Sequence, residues 1–191
     1  MKSLRLSLAS LMIAGTALAS PAQAALSQNQ VFEIRFMEDM IDHHAMAIRM
    51  ALLCPERAAQ PELIAMCADI VKTQKREIAL MQGWLREWYG ESSSPHETQH
   101  GQRDMKHLAS LSGGEFEQEF MQMMSGHHAV ALEQSAECLV RTSHTQLTNL
   151  CADIAQTQAR EIRSMQIWLC QWYQRCSLHV MRNMMISEPL R

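Results

Sequence analysis

Apolar residues recur every three or four positions along two stretches of the chain, which is the spacing of one buried helix face. In the first stretch the apolar stripe runs from Phe36 to Cys54, pauses between Pro55 and Pro61, and resumes as far as Trp88. Pro61 suits the first turn of a new helix, where its missing amide proton is not needed. The pattern therefore predicts two helices that pack side by side as a hairpin.

The second stretch repeats the first. Residues 32–89 align with residues 116–173 at a constant offset of 84 without a gap, and 27 of the 58 aligned positions are identical. Most shared residues are ordinary core residues, but both copies also keep a histidine pair, a glutamate and two methionines. Aromatic and strand-forming residues are sparse. We therefore expect an all-α protein, a four-helix bundle made of two duplicated helical hairpins.

The composition divides the chain into five segments. The first has the charged start, the apolar run and the Ala22-Gln23-Ala24 site of a secretion signal, and its apolar run is too short to span a membrane. The segments are a signal peptide (1–24), a first hairpin unit (25–89), a polar linker (90–114), a second hairpin unit (115–176) and a tail that contains Met and His (177–191). We expect a mature protein exported to the periplasm, with no membrane span. The chain has no basic cluster that would indicate a nucleic-acid partner.

The six cysteines of an exported chain favour disulfides over free thiols. Cys54 and Cys67 occupy the same repeat positions as Cys138 and Cys151. We therefore predict one disulfide within each hairpin. The remaining two, Cys170 and Cys176, lie outside the repeated pattern. Six residues of intact helix rise about 9 Å, so these two can pair only if the helix breaks near Arg175.

The predicted disulfide fixes the register of each hairpin. When Cys54 faces Cys67, residues whose numbers sum to 121 lie opposite each other, so His44 faces Glu77. In the second unit the corresponding sum is 289. The same rule brings three further pairs to one level: Met40–Met81, His128–Glu161 and Met124–Met165.

Paired histidines opposite glutamate and methionine indicate a metal site rather than an ordinary core. Thioether sulfur together with imidazole favours Cu(I), with Ag(I) as its mimic, over iron, manganese or magnesium. Glu77 is a hard ligand that is also suited to orient His44 through a hydrogen bond, or to pair with Lys75 or Arg76. The candidate copper ligands are Met40, His43, His44, Met50, Glu77, Met81, Met124, His127, His128, Glu161 and Met165.

Two further groups could serve as auxiliary metal ligands. In the linker, His96 and His100 are spaced to clamp a metal from one helix, and Ser94-Pro95 could open a short helix as far as Leu111. A solvated polar linker is the alternative interpretation. The tail adds His179, Met181, Met184 and Met185, for which a disordered end is an equally good interpretation.

The spaced motifs of both units carry a family resemblance. They read Met40-x-x-His43-His44 with Gln74-x-x-Glu77-Ile78-x-x-Met81, and Met124-x-x-His127-His128 with Gln158-x-x-Glu161-Ile162-x-x-Met165. This pattern resembles the bacterial domain-of-unknown-function family numbered 305, whose members include a cyanobacterial periplasmic copper-binding protein of copper resistance. The resemblance implies an exported, ferritin-like four-helix bundle that handles metal through these Met and His positions.

The chain departs from the family pattern at a few positions. The proline that usually precedes the histidine pair is replaced by Asp42 and, in the second unit, by Gly126. A further methionine is present as Met50, but its counterpart is Gln134. Because an amide offers Cu(I) only hard atoms, we expect the first unit to bind Cu(I) more tightly than the second.

Two other functions remain open on the sequence. A ferritin-like di-metal oxidase needs Glu-x-x-His on two of its helices, and none of the predicted bundle helices carries it. A metal-free bundle would make His43 and His44 polar core residues with a structural or partner-binding role. We favour a copper-binding protein that is not an enzyme and that buffers, sequesters or delivers Cu(I). Its partners would be copper ions and a periplasmic copper-transfer protein.

Overall fold

Four long helices and two short ones account for most of the chain. The computed structural model describes residues 25–96 and 98–176, so the predicted signal peptide and tail lie outside the described residues. The helices are α1 (Gln28–Ala51), α2 (Cys54–Arg57), α3 (Pro61–Trp84), α4 (Gln99–Ala109), α5 (Gly113–Arg141) and α6 (Thr145–Tyr173), with a π-helical turn at Leu85–Tyr89 after α3. None of these described helices combines the length and the apolar character needed to cross a membrane. The all-α prediction is confirmed.

Local sequence sets the ends of these helices. At the start of α1, the Ser27 side chain accepts a hydrogen bond from the Gln30 amide, and the Gln30 side chain accepts one from the Ser27 amide in return. The turn after α3 stops at Gly90, whose φ of 70° is readily reached only by glycine. Helix α4 starts at Gln99, later than the predicted Ser94-Pro95, because the Thr98 side chain caps its first turn.

The two hairpins, α1 with α3 and α5 with α6, pack against each other through α1 and α5. These two helices run antiparallel, because the middle of α1 at His43 contacts the middle of α5 at His127, while Glu33 near the start of α1 contacts Ser143 beyond the end of α5. The turn end of each hairpin therefore lies beside the open end of the other hairpin.

This arrangement divides the core into two halves. The turn-1 core surrounds the first hairpin's disulfide and the turn-2 core surrounds the second hairpin's disulfide. Buried members of the turn-1 core include Ala47, Met50, Cys54, Cys67, Ile70, Phe116, Phe120, Met121, Met124, Met165 and Leu169. Those of the turn-2 core include Phe36, Met37, Met40, Ile41, Met81, Leu85, Ala131, Cys138, Cys151 and Ile154. Each half thus combines residues of both repeats.

A buried carboxylate from the first hairpin caps the second helix of the second hairpin. Glu33, which is fully buried, accepts hydrogen bonds from the amides of Ser143 and His144, from the Thr142 hydroxyl and from the His144 ring, and it also contacts the Tyr89 hydroxyl. These donors surround the start of α6, where amide protons have no partner within the helix. Glu33 therefore ties the two hairpins together.

The equivalent carboxylate of the second repeat makes the reciprocal contact. Glu117 accepts hydrogen bonds from the amides of Ala59 and Gln60 at the start of α3, and it contacts the Tyr173 hydroxyl. The duplication has thus kept a pair of contacts that each join one hairpin to the other.

Three disulfides are present among the described residues. Cys54–Cys67 and Cys138–Cys151 close the two hairpin turns, as the repeat positions predict. The third joins Cys170 to Cys176. It is possible because α6 ends at Tyr173 and Gln174 turns the chain with a φ of 54°.

Replacing Cys54 and Cys67 together by Ala is expected to lower the free energy of unfolding by about 2–3 kcal/mol. The bridge spans 13 residues, and its loss frees the unfolded chain. Urea unfolding of the variant measures the change, with the matching pair Cys138 and Cys151 as the comparison. Peptide mapping without reductant that finds these cysteines free, or paired between hairpins, would contradict the prediction.

Candidate metal centre

The buried histidine of each pair faces a glutamate across its own hairpin. His44 Nε2 lies 2.7 Å from a carboxylate oxygen of Glu77, and His128 Nε2 lies 2.7 Å from one of Glu161. Both imidazoles are fully buried. These are the pairs that the predicted disulfide register places opposite each other, because the disulfide and the histidine contact lie at fixed positions along the same two helices.

The other histidine of each pair joins the two hairpins. The rings of His43 and His127 lie with their centroids 3.6 Å apart, where α1 meets α5. His43 Nε2 is 3.0 Å from the backbone carbonyl of His127, to which it donates. The sequence left open whether the two units form separate sites or one. The structure places their histidines in direct contact.

All four histidines keep one buried nitrogen without a hydrogen-bond partner in the protein, namely Nδ1 of His43, His44, His127 and His128. Where Nε2 donates to a carboxylate or carbonyl, a second proton on Nδ1 would be a buried donor without an acceptor, which is costly. In His43, His44 and His128, Nδ1 therefore carries a lone pair, and an imidazole lone pair is a metal ligand.

Electrostatics keep the central pair neutral. Burial, reinforced by neighbouring His44, lowers the pKa of His43 to about 4. Burial also lowers the pKa of His127 to about 2, with the adjacent histidines acting in the same direction. At neutral pH both rings are uncharged, so a metal ion does not have to displace a proton from them.

Fully buried thioethers lie on both sides of the histidines. Met40 and Met81 belong to the turn-2 core, and Met124 and Met165 belong to the turn-1 core. Met40 precedes His44 by one helical turn, and Met81 follows Glu77 by one turn, so both methionines lie one turn from the His44–Glu77 contact. The centre is therefore a set of imidazoles flanked by sulfur.

Met50, a candidate ligand of the first unit, lies apart from the other candidate methionines of that unit. It is buried in the turn-1 core with Met124 and Met165 of the second unit, whereas Met40 and Met81 of its own unit lie in the turn-2 core. The expectation that the first unit binds Cu(I) more tightly than the second stays a prediction. The antiparallel packing of α1 on α5 brings the turn end of each hairpin to the open end of the other.

Two glutamines at the centre were not recognised as site residues from the sequence. Gln74 and Gln158 are buried, and Oε1 of Gln74 and both amide atoms of Gln158 have no hydrogen-bond partner in the protein. They precede Glu77 and Glu161 by three residues. Their identity in both repeats, on an otherwise apolar face, was the available signal.

The two linker histidines do not share one helix, as a clamp from one helix would require. His96 lies in the non-helical connection before α4, and its backbone amide donates to Asp42. The side chain of His100 and the tail residues His179, Met181, Met184 and Met185 lie outside the described part of the protein.

Among the described residues, no three or more His, Cys, Asp or Glu side chains are grouped so as to hold a metal ion. Glu33 and Glu117 accept hydrogen bonds at the starts of α6 and α3, away from the two histidine pairs.

Comparisons with known proteins identify the family of the chain. Two overlapping parts of the chain, residues 33–169 and 117–189, match the family model described as Domain of unknown function (DUF305). The chain belongs to the DUF305 family. The resemblance seen in the motifs is thus confirmed.

Solved structures of DUF305 relatives share the fold. CopM in the Cu(I)-bound form is 30% identical with a TM-score of 0.67, and the match covers 74% of this chain and 97% of CopM. CopM structures in Cu(II)-bound and Ag-bound forms match similarly. A protein described as a candidate secreted DUF305 protein from Streptomyces coelicolor is 27% identical with a TM-score of 0.65, over 73% of this chain and 93% of that one. No curated protein is significantly similar to the chain.

Proposed function

We propose that this protein binds Cu(I) in the periplasm and buffers, sequesters or delivers it in copper homeostasis or resistance, without catalytic turnover. The observation that carries the proposal is the set of four buried Nδ1 atoms without partners, between two groups of buried thioethers. Buried polar atoms without partners are rare in folded proteins and call for a ligand or water. Soft sulfur beside neutral imidazole selects Cu(I) or Ag(I).

In this proposal the histidines and methionines contact the metal, and the glutamates hold the histidines. Glu77 and Glu161 accept hydrogen bonds from Nε2 of His44 and His128, which fixes the ring orientation and leaves Nδ1 towards the metal. The carboxylates also make the imidazoles more basic and so better ligands. This role suits a hard ligand better than direct binding to Cu(I).

A di-metal oxidase fits the residues less well. Such a site requires carboxylates from several helices around two metal ions. Here Glu33 and Glu117 accept hydrogen bonds from the helix starts at opposite ends of the bundle, and Glu77 and Glu161 accept hydrogen bonds from histidines. The CopM relatives, with copper or silver bound, support metal binding as the function.

Several features support export to the periplasm. Disulfides persist in oxidising compartments and are rare in the cytosol, and three are formed among the described residues. A DUF305 relative is itself described as a candidate secreted protein. The secretion signal expected in residues 1–24 would direct this export.

An anaerobic Cu(I) titration of the mature protein, in competition with Zn(II) and Fe(II), tests the proposed function. We expect Cu(I) to bind and not to be displaced by the two harder ions. Preferential Fe(II) binding would favour the oxidase, and failure to bind any of the three ions would favour a metal-free bundle.

A quadruple variant that changes Met40, Met81, Met124 and Met165 to Leu is expected to lose Cu(I) affinity by about 100-fold or more while any Zn(II) binding through histidine persists. Leu nearly conserves the volume of Met, so each change should cost less than about 1.5 kcal/mol of stability. The matched control changes Met37 and Met121, equally buried methionines outside the motifs, to Leu. Unchanged Cu(I) affinity in the quadruple variant would show that the four methionines are ordinary core residues and not copper ligands.

A further inference from the structure

A cavity of about 500 Å³ lies beside the histidine centre, between α1 and the connection that leads into α4. Asp42, His43 and Met46 of α1 line one side, and His96 and Gly101 line the other. The cavity wall thus combines two imidazoles, a thioether and a carboxylate from separate parts of the chain. A thioether and imidazoles are the donors that suit a soft metal ion.

Specific contacts hold the two walls together. The amide of His96 donates to the carboxylate of Asp42 at 2.6 Å. Met46 packs so closely on Gly101 that a Cβ at that glycine would lie 3.5 Å from the Met46 sulfur. Asp42 therefore has a role of its own in this chain, where the family pattern has proline: it fastens the connection over the helix that carries His43.

The cavity adjoins both kinds of buried ligand. His43 lines it, and its ring is also in contact with the His127 ring at the centre of the bundle. Met46 is partly buried and packs against the turn-1 core, which contains Met50 and Met124. His96 on the opposite wall is exposed to solvent. The cavity thus has an exposed imidazole on one wall and a thioether and a second imidazole next to the buried ligands on the other.

The second repeat lacks these features. The positions equivalent to Asp42 and Met46 are Gly126 and Val130, which offer neither a carboxylate nor a sulfur. Val130 is 47% exposed. The second repeat can therefore serve as a control for the first. At the same helix position the first unit has a potential metal ligand, Met46, and the second unit has Val130, which cannot bind a metal ion.

We propose that this cavity is a loading site, where Cu(I) or Ag(I) first binds to Met46 and His96 before it passes to His43 and the buried methionines. This inference rests on the proposed function, because it describes how Cu(I) reaches the site formed by the paired histidines and the buried methionines. The ion exchanges one imidazole and one thioether for ligands of the same kinds, so no redox step is involved.

Stopped-flow measurement of Cu(I) and Ag(I) loading tests the proposal in a variant with Met46→Leu and His96→Gln. We expect the loading rate to fall about tenfold, the scale of losses at supporting positions of metal sites, with unchanged final stoichiometry and equilibrium affinity. The control Val130→Leu should load at the wild-type rate. The single variant His96→Gln changes an exposed side chain, so its folding is not in question, and it should show part of the effect.

A wild-type loading rate in the double variant would overturn the loading site while leaving the proposed function intact. Failure of the wild-type protein to take up Cu(I) at equilibrium would instead overturn the proposed function. A second measurement is the NMR signal of the Met46 methyl group during Ag(I) titration of a variant whose central rings are replaced, His43→Phe with His127→Phe. We expect this signal to shift, and an unmoved signal would also overturn the loading site.

Discussion

Changing His127 to Phe is expected to lower the Cu(I) affinity of both hairpin units by about 100-fold or more, and changing His43 to Phe should do the same. Phenylalanine keeps a ring where the two centroids are 3.6 Å apart, so the packing of α1 on α5 is largely retained. The change removes Nδ1, which in each of the two histidines is a buried nitrogen without a hydrogen-bond partner in the protein. Because the two rings are in contact, each change removes a ligand from a centre that both hairpins share.

Competition titrations with a chromogenic Cu(I) chelator measure these affinities. The double variant should bind Cu(I) little more weakly than either single variant, because residues that act as one unit are not additive. The control is His107→Gln, since the His107 side chain is 59% exposed. If each single variant abolished one of two binding phases and left the other at wild-type strength, the hairpins would have separate sites and the shared centre would be wrong.

Changing Glu33 to Gln is expected to lower the free energy of unfolding by about 2–3 kcal/mol and the melting temperature by about 5–10 °C. The carboxylate is fully buried and accepts charge-assisted hydrogen bonds at the start of α6. Glutamine has the same shape, but it loses the charge and presents an amide donor to groups that are themselves donors. Thermal unfolding followed by circular dichroism measures the change.

The second repeat provides a matched control for this change. Glu117→Gln should cost less, because Thr142 and Ser143 donate hydroxyls to Glu33, whereas the equivalent Ala58 and Ala59 have none. The exposed Glu137→Gln should have almost no effect. If Glu33→Gln and Glu137→Gln lowered the free energy of unfolding equally, the contacts of Glu33 at the start of α6 would not stabilise the bundle.

Glu33 also makes the free energy of unfolding depend on pH. Burial by itself raises the pKa of Glu33, but hydrogen bonds from Thr142, Tyr89, Ser143 and His144 outweigh it and lower the pKa from 4.5 to about 2. The contribution of the carboxylate is therefore fully present above pH 4.5 and is lost as the pH falls towards 2. Between these values the difference in stability between wild type and Glu33→Gln should narrow steadily.

Most of the organisation within each hairpin could be predicted from the sequence. Helical periodicity, the prolines at the first turn and the repeated cysteines depend on residues that are near neighbours along the chain or across one short turn. One disulfide between two antiparallel helices then determines which residues face each other along both helices. This is why His44 opposite Glu77, and His128 opposite Glu161, followed from cysteine positions alone.

The relation between the hairpins could not be predicted in the same way. It depends on the packing of α1 against α5, and apolar faces of similar composition allow several crossing arrangements. Three features follow from that packing: the contact between the His43 and His127 rings, the capping of α6 by Glu33, and the burial of Met50 in the same core as Met124. The repeated identities of Glu33 and Glu117 were visible in the sequence, but their partners lie in the other hairpin.

The sequence by itself determined the helices, their register within each hairpin and the types of donor atom that face inward, because these are fixed by local spacing and by a short covalent link. The tertiary structure alone decided which donors meet across the bundle. In the folded protein the two histidine pairs meet where α1 packs on α5. Met50 lies in the same core as the methionines of the second unit, and Met46 and His96 line the same cavity. Contacts between distant segments follow from packing and burial over the whole chain, and no local pattern encodes them.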